Sequence, residues 1–66
     1  MKKLWEYLYK KVKIKTQDGR VLSGDVVSVT SGVETESGYD EMDIDYGIYR
    51  EVVDESEIKS IEVLDE

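Results

Sequence analysis

Six lysines crowd the start of the chain, at Lys2, Lys3, Lys10, Lys11, Lys13 and Lys15, with Tyr7 and Tyr9 among them. Ammonium groups hold phosphates and aromatic rings stack on bases, so this mixture suits a single-stranded nucleic acid such as RNA. The same lysines at alternate positions also describe a solvated strand face that discourages edge pairing. A second charged stretch, GYDEMDIDYG at 38–47, holds Asp40, Glu41, Asp43 and Asp45. Calcium loops of the EF-hand type place oxygen ligands at fixed offsets, and Gly47 falls where the ligand after Asp43 and Asp45 should stand. Alternation explains these acids better, as one face of a strand.

The chain has neither cysteine nor histidine. Thiolate nucleophiles, histidine-based triads, disulfides and the usual zinc sites are thereby excluded. Catalysis would rest on paired carboxylates, which need a cleft that separates their pKa values, and a domain this small has little concavity to offer. The expectation is no enzyme, no metal, no cofactor and no small-molecule substrate.

With 66 residues the chain makes one domain, and such a domain buries only about 60% of its unfolded surface. Among the aids that small domains use, self-association is the one this composition leaves open. Net charge is −7, unevenly spread: residues 1–20 carry seven Lys/Arg against two acids, and residues 21–66 carry two against fourteen. That asymmetry steers partners or favours head-to-tail self-contact, although it opposes the basic footprint of most nucleic-acid-binding domains. The opening MKKLWEYLYKK is interrupted by Glu6, Lys10 and Lys11 before a signal-peptide core develops. No run approaches the length of a membrane span. A cytoplasmic protein without a membrane partner is expected.

Met1, Leu4, Trp5 and Leu8 fall at helical spacing, which predicts a short α-helix over about 2–10 with Trp5 and Leu8 buried and Tyr7 and Tyr9 at its margins. From Val12 the period becomes two. Val12, Ile14 and Thr16 alternate with lysines, and Asp18-Gly19 suits a type I′ turn into the returning strand. Leu22, Gly24 and Val26 share one phase while Val27 and Val29 take the other, so a bulge or sharp bend is expected beside Gly24. Ser31 to Gly38 reads as loop. Met42, Ile44 and Tyr46 mark a third strand, and Gly47 permits a tight turn into a fourth, IYREVV at 48–53. Asp54 or Ser56 caps a break, and Ile58, Ile61 and Val63 mark a fifth strand. Trp5, Tyr39, Tyr46 and Tyr49 read as core or rim packing.

The expected fold is therefore mainly β, an N-terminal α-helix followed by a five-stranded, strongly bent antiparallel barrel over about 11–66. Through Val12, Ile14, Asp18, Gly19, Arg20, Leu22, Gly24, Val26 and Val29 the chain resembles the first motif of the Sm-like (LSm) family, and more broadly an SH3-like small barrel. The resemblance implies self-association by pairing the fourth and fifth strands, with Ile48, Tyr49, Val52, Val53, Ile61 and Val63 at the contact. It also implies an RNA site, but the residues depart from that pattern. Thr30 and Glu34 stand where the family has an acid and an asparagine, and Asp54-Glu55 stands where it has Arg-Gly. A non-catalytic, self-associating interaction or assembly module with an unknown protein partner is expected. The alternatives are RNA binding through the six lysines, and an acidic mimic that captures a nucleic-acid-binding protein. Glu34 accepts hydrogen bonds but cannot donate to a base carbonyl. A short uridine oligomer titrated at two ionic strengths should accordingly show no binding that survives physiological salt.

Overall fold

A computed structural model describes residues 3–64; Met1 of the expected helical stripe and Lys2 of the lysine group lie outside them. The strands are β1 (Lys11–Thr16), β2 (Val21–Thr30), β3 (Glu41–Asp45), β4 (Arg50–Asp54) and β5 (Ile58–Val63). They form one antiparallel sheet in the order β4-β3-β2-β1-β5, which leaves β4 and β5 as its edges. Mainly β with five antiparallel strands is the expected class.

The alternating residues of β1 behave as their period requires. Val12, Ile14 and Thr16 are buried, whereas Lys11 and Lys15 are exposed and Lys13 is half-exposed. Met42 and Ile44 of β3 are buried in the same way. Val26, Val53 and Ile58 complete the inner face, and Leu4 and Tyr7 close it from the N-terminal side.

No α-helix occurs among the described residues; the N-terminal segment makes one 3-10 turn, Leu4–Tyr7. Nine residues are too few for an α-helix to hold itself. Here the backbone is captured instead, because Tyr9 N–H donates to Val26 O at 2.7 Å and Lys10 N–H to Tyr7 O at 3.0 Å. Three residues per turn place positions i and i+3 on one line. Leu4 and Tyr7 are therefore the buried pair, while Trp5 is 51% exposed and Leu8 only partly buried. Tyr7 belongs to the core, and Tyr9 projects into solvent.

The β1–β2 connection also differs from the type I′ expectation. Gly19 alone has positive φ, at +96°, while Asp18 keeps the ordinary negative value. Thr16 N–H donates to Arg20 O at 2.9 Å and Gly19 N–H to Thr16 O at 3.1 Å, closing a three-residue loop. The extra residue confines the left-handed conformation to the glycine, where it costs least.

Val21–Asp25 of β2 pairs with β1, and Asp25–Thr30 pairs with β3. The change of phase is real, but the register shift that makes it lies between Val26 and Ser28, at Val27, not beside Gly24. Gly24 serves close packing. A β-carbon there would lie 2.7 Å from both Asp45 O and Ile44 Cγ2. The fourth strand starts later than expected, because Tyr46 N–H donates to Tyr49 O at 2.9 Å across a two-residue turn at Gly47 and Ile48.

The sheet is sharply bent. Only the 3-10 turn Glu55–Glu57 joins β4 to β5, although these strands stand at opposite ends of the sheet. A flat sheet would separate them by about 19 Å, four strand spacings, and a three-residue 3-10 turn rises about 6 Å. Asp54 caps this turn. Its carboxylate accepts from Ser56 N–H at 2.8 Å, while Asp54 N–H donates to Glu57 Oε1 at 3.1 Å. Glu55 N–H bonds Asp40 O at 2.9 Å and Gln17 N–H bonds Glu57 O at 2.8 Å, tying the turn to the loops on both sides.

Two substitutions, each set against an exposed control, test this packing by denaturant unfolding. Gly24→Val should cost about 1–3 kcal/mol, against under ~0.5 for Lys13→Ala. Leu4→Ala should cost about 2–5 kcal/mol, well above the cost of Trp5→Ala.

Candidate interaction surfaces

The bend brings together residues that the sequence reading left apart. Arg20, at the entry to β2, reaches across to β4, where its Nη2 lies 3.0 Å from Glu51 Oε2. Tyr46 OH donates to Glu51 Oε1 at 3.1 Å. Glu51 shares the inward phase of β4 with Val53, and its register partner is the buried Ile44. A charged residue at an inward position was the available signal for this cluster. Burial first, and then the hydrogen bond to Glu51, pushes the Tyr46 phenol up to about 12. Tyr49 packs against Tyr46 with ring centroids 4.9 Å apart. On the hairpin side, the hydrogen bond from the Thr16 hydroxyl holds Asp18 below the usual carboxylate range, helped by Arg20.

The outer face carries charge in rows. Lys11 stands opposite Asp25, Asp25 opposite Asp45, and Asp45 opposite Arg50, so two facing acids are flanked by two cations. Arg50 Nε lies 3.8 Å from Asp45 Oδ2. An open groove of about 360 Å³ lies where β2 parts from β3, between Lys11, Gly24 and Asp25 on one side and Asp45 and Tyr46 on the other. Glu41, Asp43 and Asp45 point outward from β3 as one strand face, and no group of three metal-ligating side chains occurs among the described residues.

The candidate RNA lysines divide between two elements. Lys3 and Lys10 flank the 3-10 turn, while Lys11, Lys13 and Lys15 follow β1, with Lys13 between Ser23 and Glu62. Among the described residues both arginines form ion pairs and no lysine does. Lys3 instead places its ammonium 5.8 Å from the Trp5 ring centroid. Glu34 lies in the exposed 3-10 turn Gly32–Glu34, and Asp54 is occupied in capping.

Of the self-association residues, Val53 is buried in the core and Ile61 partly buried against it. Ile48, Tyr49 and Val52 are 91%, 59% and 55% exposed and line the β4 margin, and Val63 is exposed on β5. The sequence placed Tyr9 at the margin of the N-terminal segment but gave no sign of its backbone conformation. Tyr9 is the one non-glycine residue among those described with a positive φ, +67°, and its ring is exposed. Such a conformation costs a side-chain-bearing residue about 1–2 kcal/mol. No helix among the described residues is long and apolar enough to cross a membrane.

Comparison with family models, curated proteins and solved structures finds no match for this chain.

The raised Tyr46 pKa sets a pH dependence. A phenol whose folded pKa exceeds its unfolded value of 10 stabilises the fold fully below pH 10 and loses that contribution as pH rises toward about 12. The stability advantage of the native chain over Tyr46→Phe should therefore shrink across that interval, as read by denaturant unfolding.

Proposed function

We propose that this chain is a non-catalytic interaction or assembly module, a small barrel of the Sm-like or broader SH3-like kind, that associates with copies of itself. One observation carries the reading: both edge strands lie beside apolar side chains that solvent reaches. Ile48, Tyr49 and Val52 border β4, and Val63, with Ile61 partly covered, borders β5. Unpaired strand edges are templates for another strand. The β4 margin has no lysine and no proline to blunt it.

Pairing β4 of one copy with β5 of the next leaves a free edge at each end, so the contact closes into a ring or continues as a filament. A register that keeps the inner faces continuous sets Val53 opposite Ile61. It also sets Val52, not Glu51, opposite Glu62, which avoids facing like charges. Thr30, Glu34, Asp54 and Glu55 give the resembling family's RNA site no cation, so assembly stands ahead of that activity.

Light scattering at micromolar concentration should give a multiple of the chain mass. Val52→Glu, which sets a like charge against Glu62, should reduce it to the single chain with little change in thermal midpoint, because Val52 is 55% exposed. A single-chain mass for the native protein would retire this reading.

A further inference from the structure

Residues 3–10 are wound through successive backbone bonds, Glu6 N–H to Lys3 O, Leu8 N–H to Trp5 O and Lys10 N–H to Tyr7 O. Leu4 and Tyr7 anchor this segment in the core, so Trp5 and Tyr9 are presented outward by a fixed backbone. Tyr9 keeps an aromatic ring where glycine or asparagine would sit without strain. With 81% of it exposed, the ring adds little to the core. Strain held for a side chain that barely packs points to use outside the domain. Lys10 and Lys11 follow Tyr9 in the chain and Lys3 lies over Trp5; all three are exposed and, among the described residues, lie in no ion pair.

We infer that Lys3, Trp5, Tyr9, Lys10 and Lys11 form a docking surface for an anionic lipid bilayer, on which the protein lies without crossing it. Tryptophan and tyrosine settle at the headgroup level, where one end of the ring is apolar and the other wet. Lysines answer the diffuse negative potential of such a surface as point charges. Two observations favour a bilayer over a nucleic acid. The arginines, whose planar forks best fit individual phosphates, are engaged with Asp18, Glu51 and Asp45. One face of Trp5, where a base would stack, already carries the Lys3 ammonium.

The acidic remainder does not forbid this. The molecule measures 31 × 24 × 23 Å, and charges farther from the bilayer than a Debye length of about 8 Å are largely screened. Glu6 is the acid within the patch, and Asp25 stands opposite Lys11. Each remaining lysine near the surface should raise partition about fivefold.

The test is co-sedimentation of the full chain with phosphatidylcholine vesicles, with and without phosphatidylglycerol, alongside fluorescence of Trp5, the only tryptophan. Partition onto the phosphatidylglycerol vesicles alone is expected, with a blue shift of Trp5 emission and weakening in salt. The double variant Lys10→Glu/Lys11→Glu should abolish it. Tyr9→Gly should raise the thermal midpoint by about 4 °C while lowering partition several-fold. That opposition of sign separates a binding ring from a structural one, and Tyr9→Asn repeats it should the glycine variant not fold. Absence of partition, unmoved Trp5 emission, or undiminished partition of Tyr9→Gly would overturn the inference. So would tighter binding of a single-stranded oligonucleotide at equal phosphate concentration, which would make nucleic acid the occupant.

Discussion

The rest of this structure depends on one short connection. Glu55–Glu57 links the first and last strands of a five-stranded sheet, so the sheet must curl over its own inner face. Curling solves the problem of a chain this small. One layer serves as both walls of the core, and a single 3-10 turn carrying Leu4 and Tyr7 covers what remains open. The same constraint explains Val27 and Gly24. A bulge raises local twist and re-phases the strand, and a residue without a β-carbon lets β3 come within contact of β2 where they part.

Bending also determines which charges meet. Arg20, in the β1–β2 connection, and Glu51, on β4, are not on neighbouring strands, yet they pair at 3.0 Å because the β1–β2 hairpin turns toward β4. Tyr46 completes the cluster through Glu51. Arg20 and Glu51 keep solvent contact, so their pair adds modestly to stability; its main consequence is to orient the β4 margin relative to the hairpin. The lysines remain apart from this internal network. The domain thus presents an N-terminal cationic surface with two exposed rings, and, on β4, an apolar margin.

These two surfaces differ in physical kind. The β4 and β5 margins offer backbone hydrogen bonds in a defined register, which suits a copy of the same strand geometry. The N-terminal surface offers point charges and amphipathic rings, which suit a diffuse anionic layer. Neither needs a cleft or a nucleophile, in keeping with a chain that has no cysteine or histidine.

The sequence by itself determined the phases of β1 and β3, because alternation is local: Val12, Ile14, Thr16, Met42 and Ile44 are buried where period two put them. It also marked Gly47 as a turn and Asp54 or Ser56 as a cap, a part that Asp54 takes, since such residues act through their own backbone neighbourhood. Tertiary structure decided what depends on remote partners. Val26 captures the Tyr9 amide, which ends the N-terminal segment after one 3-10 turn and buries Tyr7 in place of Trp5. Register with β3 moved the bulge from Gly24 to Val27. The meeting of Arg20 with Glu51 follows from the curl of the whole sheet, and no spacing along the chain encodes a contact between a hairpin and a strand that does not pair with it.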